Sequence, residues 1–136
     1  MVVNSKRNKP SSAPPAPVRT GTVLVVDDDR STRLLLKKVL GHSGLSVDLA
    51  EDGARAVELI GSRTYDAILL DLVMPQPDGF AVLRHIETVP SLIEKVILIT
   101  SYPQQAASAR VYACVSKPID VSEVVRLTRA CVKAHH

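Results

Sequence analysis

The sequence predicts a doubly wound α/β fold, a parallel sheet with helices on both faces. From Thr22 to Ala134, short aliphatic runs such as "TVLVV", "AILL" and "VILI" alternate with segments of helical period, the signature of successive βαβ units. These runs are apolar at consecutive positions, as in strands covered on both sides. The hydrophobic share is 46% while aromatic residues are only 3%, with no Trp. The core must therefore be built from Val, Leu, Ile and Ala.

Each element has a local reason. "TVLVV" (22–26) is a buried strand. "RSTRLLLKKVLGHSG" (30–44) carries Leu35, Leu36, Val39 and Leu40 at helical spacing and stops at glycines. "LSVDLA" (45–50) alternates apolar with polar and reads as a half-exposed edge strand. The helix over 52–62 opens on Asp52, a good N-cap, and closes near Gly61. "YDAILLD" (65–71) is a second buried strand, and "MPQPDG" (74–79) a turn-forming loop. A helix follows over 78–88 with Asp78 as its cap, then a strand over 95–100 and a short one over 112–116. The last helix, 120–134, begins with Asp-x-x-Glu, a capping box in the wider sense.

The totals bound the class. A chain of 136 residues has room for one domain and a tail. Residues 1–20 hold four prolines, three serines, four cations (Lys6, Arg7, Lys9, Arg19) and no acid, and read as a flexible basic tail or linker. The domain is expected over 21–134. Over 21–136, thirteen basic residues meet fourteen acidic ones, a balance of −1. A nucleic-acid-binding role is therefore not expected of the folded part. Cys114 and Cys131 are too few for a disulfide framework and too far apart for a zinc motif; they fit a cytoplasmic setting with free thiols. No apolar run is long enough to enter a bilayer as a span, and no signal peptide is expected.

The chemistry is sought where open α/β sheets bind ligands, beyond the carboxyl ends of the strands. The first strand ends in Asp27, Asp28 and Asp29, the third in Asp71, the fourth in Thr100 and Ser101, and the fifth in Ser116 and Lys117. An Asp after a strand is commonly a turn residue and a Lys before Pro a solvated loop. Four complementary groups at equivalent strand ends are harder to assign to turns alone. Clustered carboxylates with room for water suit Mg²⁺. A central Asp can attack phosphorus as a nucleophile. The charge needed on the phosphoryl oxygens would come from the cation and Lys117, with a hydrogen bond from the Thr100 hydroxyl.

In these residues the chain resembles the response-regulator receiver domain of two-component signalling across 22–134. "VLVVDDD", "AILLDLVMPQPDGF", "ILITS" and "SKPID" resemble its acidic, phosphoacceptor, Thr/Ser and Lys-Pro segments, in order. The resemblance implies a five-stranded parallel sheet of flavodoxin-like order 2-1-3-4-5. It implies Asp71 as phosphoacceptor, with Mg²⁺ held by Asp28 directly, Asp27 through water, Asp71 and the Val73 backbone carbonyl. It implies Thr100 as the switch hydroxyl and Lys117 as the phosphate-contacting lysine, leaving Asp29 to cap the first helix. The expected function is a stand-alone receiver in a histidine-to-aspartate phosphorelay, not a conventional enzyme. It would be phosphorylated by a histidine kinase or histidine phosphotransfer protein and would act on a downstream protein.

The chain departs from the family pattern in two places. "TSYPQQAASARVYACVSK" (100–117) is several residues shorter than usual, so the helix between the fourth and fifth strands is expected to be short or irregular, at best two turns in "QQAASAR". The position of the usual switch aromatic is Cys114, with Tyr112 two residues earlier. The positions that tune dephosphorylation are Val73 and Tyr102; neither can orient water, which implies slow loss of phosphate. Two other readings are a phosphorylation-independent docking module and the receiver piece of a hybrid histidine kinase. An Asp-nucleophile phosphatase would need a second acid where Val73 stands, and nucleotide binding would need a Gly-rich loop after the first strand.

Overall fold

Five strands form one sheet, all parallel, in the order β2-β1-β3-β4-β5. They are β1 (Thr22–Val26), β2 (Ser46–Ala50), β3 (Ala67–Asp71), β4 (Val96–Thr100) and β5 (Ala113–Ser116). The structure is a computed structural model that describes residues 21–74, 79–106 and 110–136. The expected tail (1–20), the Asp78 cap and most of the 74–79 loop lie outside the described residues.

The central strands β3 and β4 are buried at every position, because helices cover both faces. Alternate residues point to opposite sides. Leu24, Val26, Ile68, Leu70, Val96 and Leu98 join one core, shared with α2 (Gly53–Ser62) and α3 (Gly79–Glu87). Val23, Val25, Leu69, Ile97, Ile99 and Val115 join the other, shared with α1 (Arg30–His42) and α5 (Val121–His135). The expected edge strand β2 is indeed at the edge, with only Ala50 fully buried.

The caps follow the sequence. Asp29 accepts from the Thr32 N–H, Asp52 from the Arg55 N–H, and Asp120 from those of Ser122 and Glu123. After α1 the chain turns through Gly44 at φ 86°, a left-handed conformation that suits glycine. At the sheet's other end, Asp66 accepts from the Thr22 N–H at 2.9 Å and meets His136 Nδ1 at 3.1 Å, tying β1 to the end of α5.

Two connections differ from the simplest reading. A one-turn helix, α4 (Pro90–Ile93), stands between α3 and β4 where the sequence suggested only a link. Between β4 and β5 the described residues contain a 3₁₀ turn, Pro103–Ala106, while residues 107–109 of the expected "QQAASAR" element lie outside the described residues. Among the described residues no helix is long and apolar enough to cross a membrane.

Gly79 opens α3 directly against the end of β3. A Cβ there would lie 2.1 Å from the Asp71 carbonyl oxygen and 2.5 Å from Leu72 Cα, both backbone atoms. Gly61, in α2, has nothing within 4 Å of a Cβ. Gly79→Ala is expected to destabilise by about 1–3 kcal/mol or more, while Gly61→Ala stabilises by up to about 1 kcal/mol. Urea unfolding of both variants checks the contrast; equal midpoints would refute it.

Candidate functional site

Sheet register brings the site together. Val26 pairs with Leu70, Asp71 with Ile99, and Thr100 with Ser116. The residues just past these pairs therefore share one rim. Asp27 is 2% exposed and Asp71 1%, whereas Asp28 lies open to solvent. One oxygen from each of the three carboxylates falls within 4.8 Å of the others.

Each buried acid is held differently. Asp71 Oδ2 accepts from Lys117 Nζ at 3.1 Å, and its Oδ1 accepts from the Val73 N–H at 3.1 Å. The Lys117 side chain is about one-third exposed, so its ammonium reaches the site from the solvent side. Asp27 Oδ1 accepts from the Asp29 N–H at 2.8 Å, and the Asp27 carbonyl accepts from the Arg33 guanidinium at 2.7 Å. Thr100 is fully buried; its Oγ1 accepts from the Tyr102 N–H at 3.0 Å. Its carbonyl accepts from the Lys117 N–H at 3.0 Å, linking the two strand ends.

Burial pushes the Asp27 carboxyl up to about 6, with the Asp29 N–H opposing, the nearby Asp71 charge adding to the rise and Lys117 opposing it. Two buried acids thus share a single nearby ammonium. A hard cation with oxygen ligands relieves this imbalance. Three carboxylate oxygens within 4.8 Å of one another are close enough to surround one small oxygen-liganded cation, with waters completing its shell. The donor set therefore suits a small divalent cation.

The predicted site residues fall as follows. Asp27, Asp28 and Asp71 cluster, and Lys117 bonds to Asp71. Thr100 ends the strand next to β3. Val73 stands two residues beyond Asp71 with its side chain half-exposed and its N–H on the carboxylate. Asp29 turns away to cap α1. Cys114 and Cys131 are free thiols, the first exposed and the second buried. Tyr112, just ahead of β5, donates its N–H to the Val96 carbonyl at 2.8 Å and is exposed like Cys114; its ring meets His135 of α5 edge-on at 5.9 Å. Sequence reasoning missed Arg33, which braces the Asp27 carbonyl. Its only signal is its place in the first turn of α1.

A family model for the response regulator receiver domain matches residues 23–129. The chain belongs to this family. The receiver domain is 33% identical over 120 residues to the DNA-binding transcriptional regulator NtrC of Escherichia coli K12, covering 85% of this chain and 25% of that protein. It is 35% identical over 124 residues to the response regulator MprA of Mycolicibacterium vanbaalenii, covering 86% and 51%. The chain thus spans a quarter to a half of these relatives. Among solved structures, the receiver domain of the Francisella response regulator 1452 superposes with a TM-score of 0.79 at 24% identity, covering 86% of this chain and all of that one. Chemotaxis response regulator CheY4 of Vibrio cholerae gives 0.74 at 21%, covering 82% and 98%. At these identities the two structures speak for the fold, which is the doubly wound sheet expected.

The raised Asp27 proton affinity has a stability consequence. Its folded value lies above the ordinary 3.8, so between about pH 4 and about pH 6 the folded state binds more protons than the unfolded one. This group's contribution to stability therefore falls as pH rises through that window. Asp27→Asn is expected to stabilise the protein in chelator at neutral pH by on the order of 1–3 kcal/mol and to flatten that pH dependence. Thermal melts across the window check it, and a lower Tm for the variant at neutral pH would refute it.

Proposed function

We propose that this receiver accepts a phosphoryl group on Asp71 within a histidine-to-aspartate phosphorelay. The observation that carries the reading is the Asp71 carboxylate itself. It is almost wholly buried, held by Lys117, and set beside Asp27 and Asp28 in a chain of the receiver family. The phosphoryl donor is a phosphohistidine on a histidine kinase or a histidine phosphotransfer protein. The reader of the signal is a downstream protein, and the setting is the cytoplasm.

In the transfer, one Asp71 oxygen forms a bond to phosphorus as the donor's phosphorus–nitrogen bond breaks, and the leaving imidazole recovers its electron pair. Asp27, Asp28, Asp71 and the Val73 carbonyl would hold Mg²⁺, which when bound offsets negative charge on the phosphoryl oxygens. Lys117, already 3.1 Å from Asp71 Oδ2, supplies the protein's own positive charge. The Val73 N–H on Oδ1 orients the carboxylate. Thr100 Oγ1 accepts from Tyr102, leaving its proton for a phosphoryl oxygen. Phosphorylation adds nearly two negative charges, drawing the Thr100 hydroxyl and the Lys117 ammonium toward the phosphoryl group and shifting the populations that partner proteins read. The protein assists its own modification without being a conventional multi-turnover enzyme.

The side chains of Val73 and Tyr102 are both half-exposed and stand two residues past Asp71 and Thr100. Neither is a carboxylate or amide that would aim a water at phosphorus, so the acyl phosphate is long-lived. A phosphorylation-independent docking role would draw on the shortened 100–117 stretch, but it gives no reason for the Asp71–Lys117 pair.

Intact mass after incubation with a small phosphodonor and Mg²⁺ tests the reading. The expected result is a gain of one phosphoryl group, absent with Asp71→Ala or with chelator, and lost over many minutes or longer. No gain in folded protein would overturn the proposal; a phosphate lifetime of seconds would refute the slow hydrolysis.

A further inference from the structure

Helices α1 and α5 lie side by side on one face of the sheet, both packed on the same core. Between them runs a groove of about 1270 Å³. Its floor is apolar: Val39 and Leu45 on one side, Val125 and Val132 on the other. Its α5 wall carries Arg126, Arg129 and Lys133, all exposed and spaced three and four residues apart, which places them along one side of the helix. No carboxylate is among the lining residues. Glu123, the one acid of α5, is not among them, and α1 holds Arg30, Arg33, Lys37 and Lys38 with no acid at all. Leu35, 43% exposed, stands one turn before Val39 on the same side of α1, outside the groove lining itself.

We infer that this groove docks an acidic amphipathic helix of a partner protein. The lining on α5 extends from Val121 to Lys133, about 18 Å or a little over three turns, enough for one short helix. The helix's apolar stripe meets the valine and leucine floor, and its flanking carboxylates meet the Arg126–Arg129–Lys133 wall. Charge complementarity selects this occupant over the others. Residues 1–20, which join the domain at Gly21 beside the groove, bring four cations and no acid. A second copy related by a two-fold axis would set these cations against themselves. Nucleic acid would answer the cations but leave the apolar floor unmatched, and a flat bilayer does not enter a cleft between two helices. The inference does not depend on phosphorylation of Asp71.

The probe is a synthetic, labelled helical peptide about four turns long, with leucines at helical spacing and glutamates flanking them. It is titrated against the full chain by fluorescence anisotropy. Saturable binding that weakens with salt is expected, and a peptide with lysines replacing the glutamates should not bind. Arg129→Glu combined with Lys133→Glu should weaken binding at least tenfold, as should Ala130→Glu alone. All three positions are exposed, and circular dichroism verifies folding. The proposal is overturned by absence of binding, by equal affinity for both peptides, or by undiminished affinity in the charge-reversed variants. It is equally overturned if duplex DNA or anionic vesicles compete more strongly than the acidic peptide. Self-association of the full chain that the charge reversals abolish would also overturn it.

Discussion

A carboxylate with almost no exposure costs several kcal/mol unless its charge is met, and Asp71 is such a group at the end of a strand buried along its whole length. The arrangement around it follows from that cost. Parallel pairing puts every strand's carboxyl end at one rim, so the loop after β5 can send Lys117 back to Asp71 from 46 residues away in sequence. Val73 turns its N–H onto the same carboxylate. Gly79 leaves the β3 backbone room where any side chain would meet the Asp71 carbonyl. The central strand, its neighbours and the start of α3 are all shaped by the need to seat this acid.

One ammonium does not serve two buried acids. Asp27 sits on the adjacent strand end with its own proton affinity raised; its carboxylate accepts from the Asp29 N–H and its carbonyl from Arg33. Neither places a full positive charge against the carboxylate. A rule of stable cores is broken here, as sites that bind something commonly break it. The imbalance is local, since residues away from the rim meet ordinary partners: Asp48 takes the Tyr65 hydroxyl and Arg63, and Asp66 takes a backbone N–H and His136.

The fold was legible because its signals are redundant. In β3, "AILLD" is apolar until the acid, and Asp29, Asp52 and Asp120 each announce a helix and then cap it. What escaped was set by geometry rather than composition. The strand reading began at Tyr65, whereas β3 begins at Ala67; Tyr65 is buried against the core yet stands outside the ladder. Period alone does not separate those cases. The α4 turn is too short to show a period, and its one mark was Pro90 in the first turn. In the site, the acids and Lys117 were readable from strand ends. Arg33 was not, because a guanidinium that finds a backbone carbonyl leaves no motif.

Net charge was the least informative whole-chain quantity, and the layers show why. Residues 46–66 hold five acids against two cations, while α1 holds four cations and no acid, and α5 three cations and one acid. Opposite signs gather on different parts of the domain and cancel in the sum. Both basic helices start at the acidic rim: α1 follows directly on Asp29, and α5 on the Lys117–Asp120 loop. Arg33 of α1 reaches the Asp27 carbonyl and Lys117, in the loop before α5, reaches Asp71. One contact thus comes from α1 itself and the other from the loop that leads into α5. Lys117, which pairs with Asp71, stands three residues before the Asp120 cap of α5, so the buried acid and the basic helix are joined by one short stretch of chain.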